Sequence, residues 1–244
     1  MSEPDDALQR ALRSMLKRDA ATKLKALKEL ADIALGRDGG GDRTDGGGAR
    51  ARGAEELAAI LPRWTRAFRR LRLDDAHAVR VAAARATRIL AEGAGKGLAK
   101  HLKPLMPAWW AAAHDPSAEV RAEAMGAFDA VFKTPEKRAN ALRFAADEIV
   151  AATRDELVTF RRPSDMPYRD GTEEELRERH ERMVCASVAA VGGFARTAMG
   201  GSGEGEDLDG AVRLLPIRPR SRGARRSLRT FPVVTLHPRF PFNV

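Results

Sequence analysis

The chain of 244 residues has one cysteine, Cys185, and one tyrosine, Tyr168. A lone thiol forbids an internal disulfide and any zinc site built from several thiolates. Cys185 stands in the apolar stretch Met183-Val184-Cys185-Ala186-Ser187-Val188, where a small buried core residue is expected rather than a nucleophile. Histidine is scarce too. His77, His101, His114 and His180 have no metal-like spacing, so surface or capping roles are expected. Carboxylate pairs such as Asp147-Glu148 sit beside bases and read as salt-bridged helix faces, not as acid–base couples. No catalytic, cofactor-binding or metal-ligating residue is therefore expected.

No run of about 18 apolar residues occurs, so no transmembrane helix and no membrane partner are expected. The opening Met1-Ser2-Glu3-Pro4-Asp5-Asp6 lacks the charged-then-apolar order of a secretory signal. Asp5, Asp6 and Asp19 argue against a transit peptide, which leaves the cytosol as the expected location.

What is abundant is charge, and its distribution matters more than its sum. The net charge is +9, from 43 basic and 34 acidic residues. Residues 211–244 hold eight arginines (213, 218, 220, 222, 225, 226, 229 and 239) and no acid. That leaves 35 basic against 34 acidic residues in 1–210, a body at +1. The basic balance belongs to the tail and says little about how the folded part binds.

Ala, Leu, Arg, Lys and Glu dominate residues 5–200 while β-branched residues are sparse, which favours helix throughout. Leu8, Leu12, Met15 and Leu16 mark one apolar face. After a break near Arg18-Asp19, with Asp19 as N-cap, Leu24, Leu27, Leu30, Ile33 and Leu35 mark the next. Leu57, Ile60, Leu61, Trp64, Phe68 and Leu71 continue the pattern, with Pro62 expected to start a new helix. Leu98 to Trp110 reads as a helix that Pro104 and Pro107 kink or delay. Helices are also expected over Ala139–Phe160 and Glu173–Met199, with a loop between them. Thr172 and Glu175 form a capping box, and Gly192-Gly193 weakens the last helix near its end.

Two segments resemble each other. Asp75-Ala-His-Ala-Val79-Arg80 and Asp115-Pro-Ser-Ala-Glu-Val120-Arg121 repeat a Val-Arg pair after 41 residues. HEAT and armadillo repeats have periods of about 40–47 residues. In this reading Asp caps the second helix, Val packs between layers and Arg bonds the adjacent turn. A weaker copy begins at Asp19, with Leu24 lying 55 residues before Val79. The surplus of 14 equals the length of the glycine-rich segment 38–51, which then reads as a flexible loop between the paired helices of the first repeat. The expected fold is all-α, a HEAT/armadillo-like solenoid of paired antiparallel helices over residues 1–199. A Gly/acidic linker at 200–210 follows. Residues 211–244 read either as a disordered basic tail or as a retained intron or shifted reading frame.

Leu12-Arg-Ser-Met-Leu-Lys-Arg-Asp19-Ala-Ala-Thr-Lys-Leu-Lys-Ala-Leu-Lys-Glu-Leu30 resembles the opening of the listerin family of RING ubiquitin ligases. Leu61-Pro-Arg-Trp64, Leu98 to Trp110, Ala141-Leu-Arg-Phe144 and Arg182-Met-Val-Cys-Ala-Ser187 follow in the family's order, so the resemblance spans roughly 5–199. It implies a module that docks on a stalled large (60S) ribosomal subunit and on the quality-control protein holding the peptidyl-tRNA. Ubiquitin transfer to the nascent chain falls to a carboxy-terminal RING, which binds zinc and recruits the E2. One cysteine cannot supply a RING, so this chain alone is expected to be a binding module rather than an enzyme. A generic HEAT scaffold unrelated to ribosomes is the alternative.

With that resemblance, the cations Lys17, Arg18, Lys23, Lys25 and Lys28 become candidate contacts to ribosomal RNA phosphates or to the quality-control protein. Lys96, Lys100 and Lys103 form a second group. Solvated helix faces are the plain alternative for both. Trp109-Trp110 is read as one core indole and one half-buried, with a partner anchor as the alternative.

Overall fold

A computed structural model describes residues 3–37 and 52–198. Segment 38–51, linker 200–210 and tail 211–244 lie outside the described residues, and so do the expectations placed on them.

Every regular element among the described residues is helical. Helices α1 (Glu3–Ser14) and α2 (Ala20–Leu35) flank the predicted break. Asp19 caps α2 as expected, its Oδ2 accepting from Thr22 N at 2.7 Å. Gly36, at φ 69°, closes α2 in the left-handed conformation that glycine adopts without strain. Helices α3 (Ala54–Leu71) and α4 (His77–Ala94) follow. A 3-10 stretch, Gly95–His101, then leads into α5 (Leu102–Ala112) and α6 (Ala118–Val131). The described chain ends with α7 (Pro135–Phe144), α8 (Ala146–Arg154), a π turn at Asp155–Thr159 and α9 (Glu173–Ala198).

The packing is a stack of helix pairs. Helix α1 packs on α2, α3 on α4 and α5 on α6. Helices α2, α4 and α6 lie side by side in one layer, and α1, α3 and α5 in the other. Helices α8 and α9 cover α5, and α7 packs on α9. The six apolar residues predicted on α3 are all buried. Trp64 stacks on Phe68 at 5.6 Å, and its Nε1 donates to Thr87 Oγ1 at 3.2 Å, so the one polar atom of the indole is satisfied in the core.

The repeat is real but its register differs from the sequence reading. Val79 and Val120 are buried between layers as expected. Arg80 Nη1 donates to Asp74 O at 2.8 Å, and Arg121 Nη1 donates to Asp115 O at 2.7 Å, so each arginine fastens the turn before its own helix. The equivalent aspartates are Asp74 and Asp115, not Asp75 and Asp115. Each accepts from the backbone N–H two residues on, Ala76 at 3.0 Å and Ser117 at 2.8 Å. They shape the turn, while the N-caps Ala76 and Ser117 make no side-chain cap bond. Each aspartate also faces back to the preceding pair: Asp115 Oδ2 accepts from Arg80 Nε at 3.2 Å, and Asp74 pairs with Lys23.

Lys23 therefore stands where Arg80 does, 57 residues earlier rather than 55. Burial agrees: Ala26, Leu27, Leu30 and Ile33 follow Ala83, Ala84, Thr87 and Leu90. The reason is local. Helix α2 begins one residue after Asp19, whereas α4 and α6 begin three residues after Asp74 and Asp115. The match of the surplus to the length of segment 38–51 is thus off by two. That segment joins α2 to α3, so it lies between pairs and not inside the first one.

Further expectations change. Helix α3 runs through Pro62, which points to solvent while Leu61 and Trp64 beside it are fully buried. Apolar burial on both sides of the proline outweighs the lost hydrogen bond. The helix predicted over Ala139–Phe160 divides at Ala145. As expected from its prolines, helix α5 starts late, at Leu102, with Pro104 in its first turn and Pro107 inside it. Both Trp109 and Trp110 are buried, donating to Ala124 O at 3.0 Å and Ala190 O at 2.9 Å. Neither indole is free to anchor a partner. Helix α9 continues through Gly192-Gly193 to Ala198. Gly193 is a close-approach residue, since a Cβ there would overlap the His114 ring. Cys185 is exposed: Met183, Ala186, Ser187 and Ala190 form the buried stripe of α9, and Cys185 falls outside it.

A cationic face on the outer helices

The turns inside the three helix pairs (residues 15–19, 72–76 and 113–117) gather at one end of the stack, and a charge network holds that end together. The loop after the π turn folds over it. Arg179 donates to Tyr168 O at 3.1 Å and to Asp170 O at 3.0 Å, and pairs with Asp75. Arg182 Nη2 reaches the other Asp75 oxygen at 2.8 Å. Burial acts to raise the Asp75 carboxyl, but the hydrogen bonds and charges of Arg179 and Arg182 outweigh it and hold the group below its ordinary range. Arg72 pairs with Glu156, whose second oxygen accepts from Ser187 Oγ. A cavity of about 280 Å³ opens here, lined by Arg18, Lys23, Arg70, Asp74, Asp170 and Glu175. Its acids and bases are largely matched, so it carries no single sign of charge.

This network settles the position of one candidate. Lys23 is 9% exposed and paired with Asp74, so its ammonium ties two helix pairs together at the wall of that cavity. Lys17, Arg18, Lys25 and Lys28 remain at the surface, Lys28 beside Asp32 at 3.6 Å. Lys96, Lys100 and Lys103 lie at the other end of the stack from Lys17 and Arg18, the two ends being about 27 Å apart by the length of the 18-residue α4. Lys103 lies 3.4 Å from Glu148 and over the Phe144 ring at 5.1 Å. The eight candidates do not form one site.

The structure brings a different set together. Gln9 of α1 lies against the Arg63 guanidinium of α3, which sets these two helices side by side. The solvent side of α1 then presents Arg10 and Arg13, the turn after it presents Lys17, and the solvent side of α3 presents Arg63, Arg66 and Arg69. None of the six is paired with a carboxylate among the described residues. Arg69 donates to Pro104 O at 3.2 Å, which keeps its charge unneutralised. Some exposed arginines elsewhere have acids, as Arg85 has Glu123, Arg88 has Glu92 and Arg177 has Glu174, while others such as Arg121 and Arg161 bond only backbone carbonyls. On α3, the residues one turn from Arg63 and Arg66 include Ala59, Pro62 and Arg70, with no acid among them. Arg13 and Arg69 complement the negative ends of their helices. Arg63 and Arg66 stand mid-helix and are not explained that way. Reading α3 as an amphipathic core helix hid them, because their significance depends on the neighbouring helix.

Surface or capping roles are expected of the histidines, but His114 and His180 are half-buried and bond backbone carbonyls. His114 Nδ1 bonds Trp110 O at 2.9 Å, and His180 Nε2 bonds Phe160 O at 2.8 Å. No group of three or more His, Cys, Asp or Glu that could hold a metal ion occurs among the described residues. No helix among them is long and apolar enough to cross a membrane.

Fold and site thus define an all-α protein of stacked helix pairs with an unneutralised cationic face. The family described as "E3 ubiquitin-protein ligase listerin, N-terminal domain" matches residues 2–199, and the chain belongs to that family. It is 30% identical to the E3 ubiquitin-protein ligase listerin of Mus musculus over 192 residues, which cover 77% of this chain and 10% of that protein. It is 30% identical to the listerin of Gallus gallus over 185 residues, 74% of this chain and 9% of that protein. The Drosophila melanogaster listerin is 26% identical over 200 residues, 81% of this chain and 10% of that protein. The chain thus spans about a tenth of the length of the relatives it matches.

Proposed function

We propose that this chain is the docking module of a listerin-type ligase in the cytosol. In this reading the helix-pair stack holds a stalled large (60S) ribosomal subunit and its quality-control protein, so that a RING belonging to such a ligase can ubiquitinate the nascent chain. The E2 and zinc belong to that RING and not to residues 2–199. The observation that carries the reading is the unneutralised cationic face of α1 and α3, with Lys17 and Arg18 at its edge, on a chain of the listerin N-terminal family. Long-range attraction to a polyanion needs such a local excess, because the body as a whole is almost neutral.

The test is co-sedimentation of the full chain with purified large subunits across a salt series. The expected result is binding that weakens as salt rises and is stronger on split, peptidyl-tRNA-bearing subunits. No co-sedimentation at any salt, or capture only of proteins unrelated to ribosomes, overturns the reading in favour of a general helical scaffold.

A further inference from the structure

We infer that the α1–α3 face binds the phosphate backbone of double-helical RNA. The inference rests on the docking reading above and names the chemistry of its contact. Three features select this occupant. Five of the six cations are arginines, whose planar forks bond phosphate oxygens in pairs. Arg10 and Arg13 on α1 and Arg63 and Arg66 on α3 form two short rows on neighbouring helices about 9 Å apart, with the cations of each row three residues, about 4.5 Å, apart along the axis; Lys17 lies in the turn beyond α1 and Arg69 turns toward α5. Cations with this spacing suit the regular backbone of a double helix.

The third feature is what the face omits. Single strands are gripped by exposed aromatic rings on which bases stack. Here Trp64 and Phe68 point inward and are fully buried, and no aromatic ring is exposed on α1 or α3. A protein partner would find no aromatic anchor and no deep apolar pocket there. Between Arg63 and Arg69 every residue of α3 other than Arg66 is buried, and the exposed residues in the turn before Arg63 are Ala59 and Pro62. Phosphates read by shape and charge, without base contacts, match this surface.

The experiment measures binding of the full chain to a 20-base-pair RNA duplex of arbitrary sequence and to one of its single strands, by fluorescence anisotropy over a salt series. Arg63→Glu/Arg66→Glu is compared with Lys133→Glu/Lys137→Glu, which makes the same charge change on exposed lysines far from the face. The arginines of the tail are common to every variant, so the comparison isolates the face. The expected result is a loss of about tenfold or more in duplex affinity for the α3 variant. The slope of log affinity against log salt should become shallower by about one for each phosphate that the variant no longer holds. Single-strand affinity and the Lys133/Lys137 variant should change by less than about twofold. Circular dichroism confirms that each variant is folded, and Arg10→Glu/Arg13→Glu repeats the test from α1. Equal weakening on duplex and single strand, weakening on an acidic peptide instead, or unchanged duplex affinity overturns the inference. If wild-type chain sediments with large subunits and Arg63→Glu/Arg66→Glu sediments equally well, this inference fails while docking stands. If wild-type chain does not sediment, the docking reading itself fails.

Discussion

Arg80 is the side chain on which the most structure converges. It bonds the carboxylate of the following pair and two carbonyls of its own turn, and it is 6% exposed. Removing it leaves Asp115 buried without its counter-charge. Arg80→Ala should cost about 3–5 kcal/mol in urea denaturation, while Arg121→Ala, exposed and bonded only to turn carbonyls, should cost about 1 kcal/mol. A second residue-scale effect is acid sensitivity at His114. Burial first, then the nearby charges of Arg196 and Arg121, push its imidazole below the ordinary value of 6.5, against the opposing bond to Trp110 O. The unfolded chain thus binds the proton more readily than the folded one. Stability from this group is complete above pH 6.5 and is lost as pH falls through the lowered folded value. Urea midpoints measured between pH 7.5 and pH 5 should fall more steeply for wild type than for His114→Gln.

At the scale of elements, Gly193 shows what a helix sequence conceals. Read along α9 it looks like a weak point; in the stack it is where α9 meets the His114 ring. Gly193→Ala would raise helix propensity by about 1 kcal/mol and still destabilise by about 1–3 kcal/mol, because His114 is fixed by Trp110 and has to move. Thermal unfolding of the single variant checks the sign. The same contrast explains what could be read in advance. Helix existence, the Asp19 cap and the Thr172–Glu175 box depend on residues three or four apart, and all were legible. Pro62 was misjudged because the burial that holds α3 straight comes from other helices. The repeat was visible, but its register was not. The distance from each aspartate to its helix varies by two residues, and only the Lys23–Asp74 and Arg80–Asp115 pairs reveal which positions correspond. The cationic face was the least legible feature, being assembled from two helices about 50 residues apart in sequence; only Lys17 and Arg18 pointed to its edge.

For the whole molecule, the rungs between pairs are chemically unequal. Arg80 fastens the second pair to the third with one bond to Asp115, and its guanidinium is itself held in place by Asp74 O and Asp75 O of its own turn. Lys23 fastens the first pair to the second with one bond to Asp74. In a stack whose stability is a sum of units and nearest-neighbour interfaces, the end with the weaker fastening opens first. Helices α1 and α2 should therefore behave as a separate cooperative unit that detaches below the global unfolding threshold. Native-state hydrogen exchange should show amides of α2 exchanging at lower free energy than those of α4, and Lys23→Arg should narrow the gap. Since the first helix pair carries half of the cationic face, with Arg10 and Arg13 on α1 and Lys17 in the turn after it, that face would then exist only while the terminal unit is seated, and any ligand bridging α1 and α3 would act as a clamp on the fraying end.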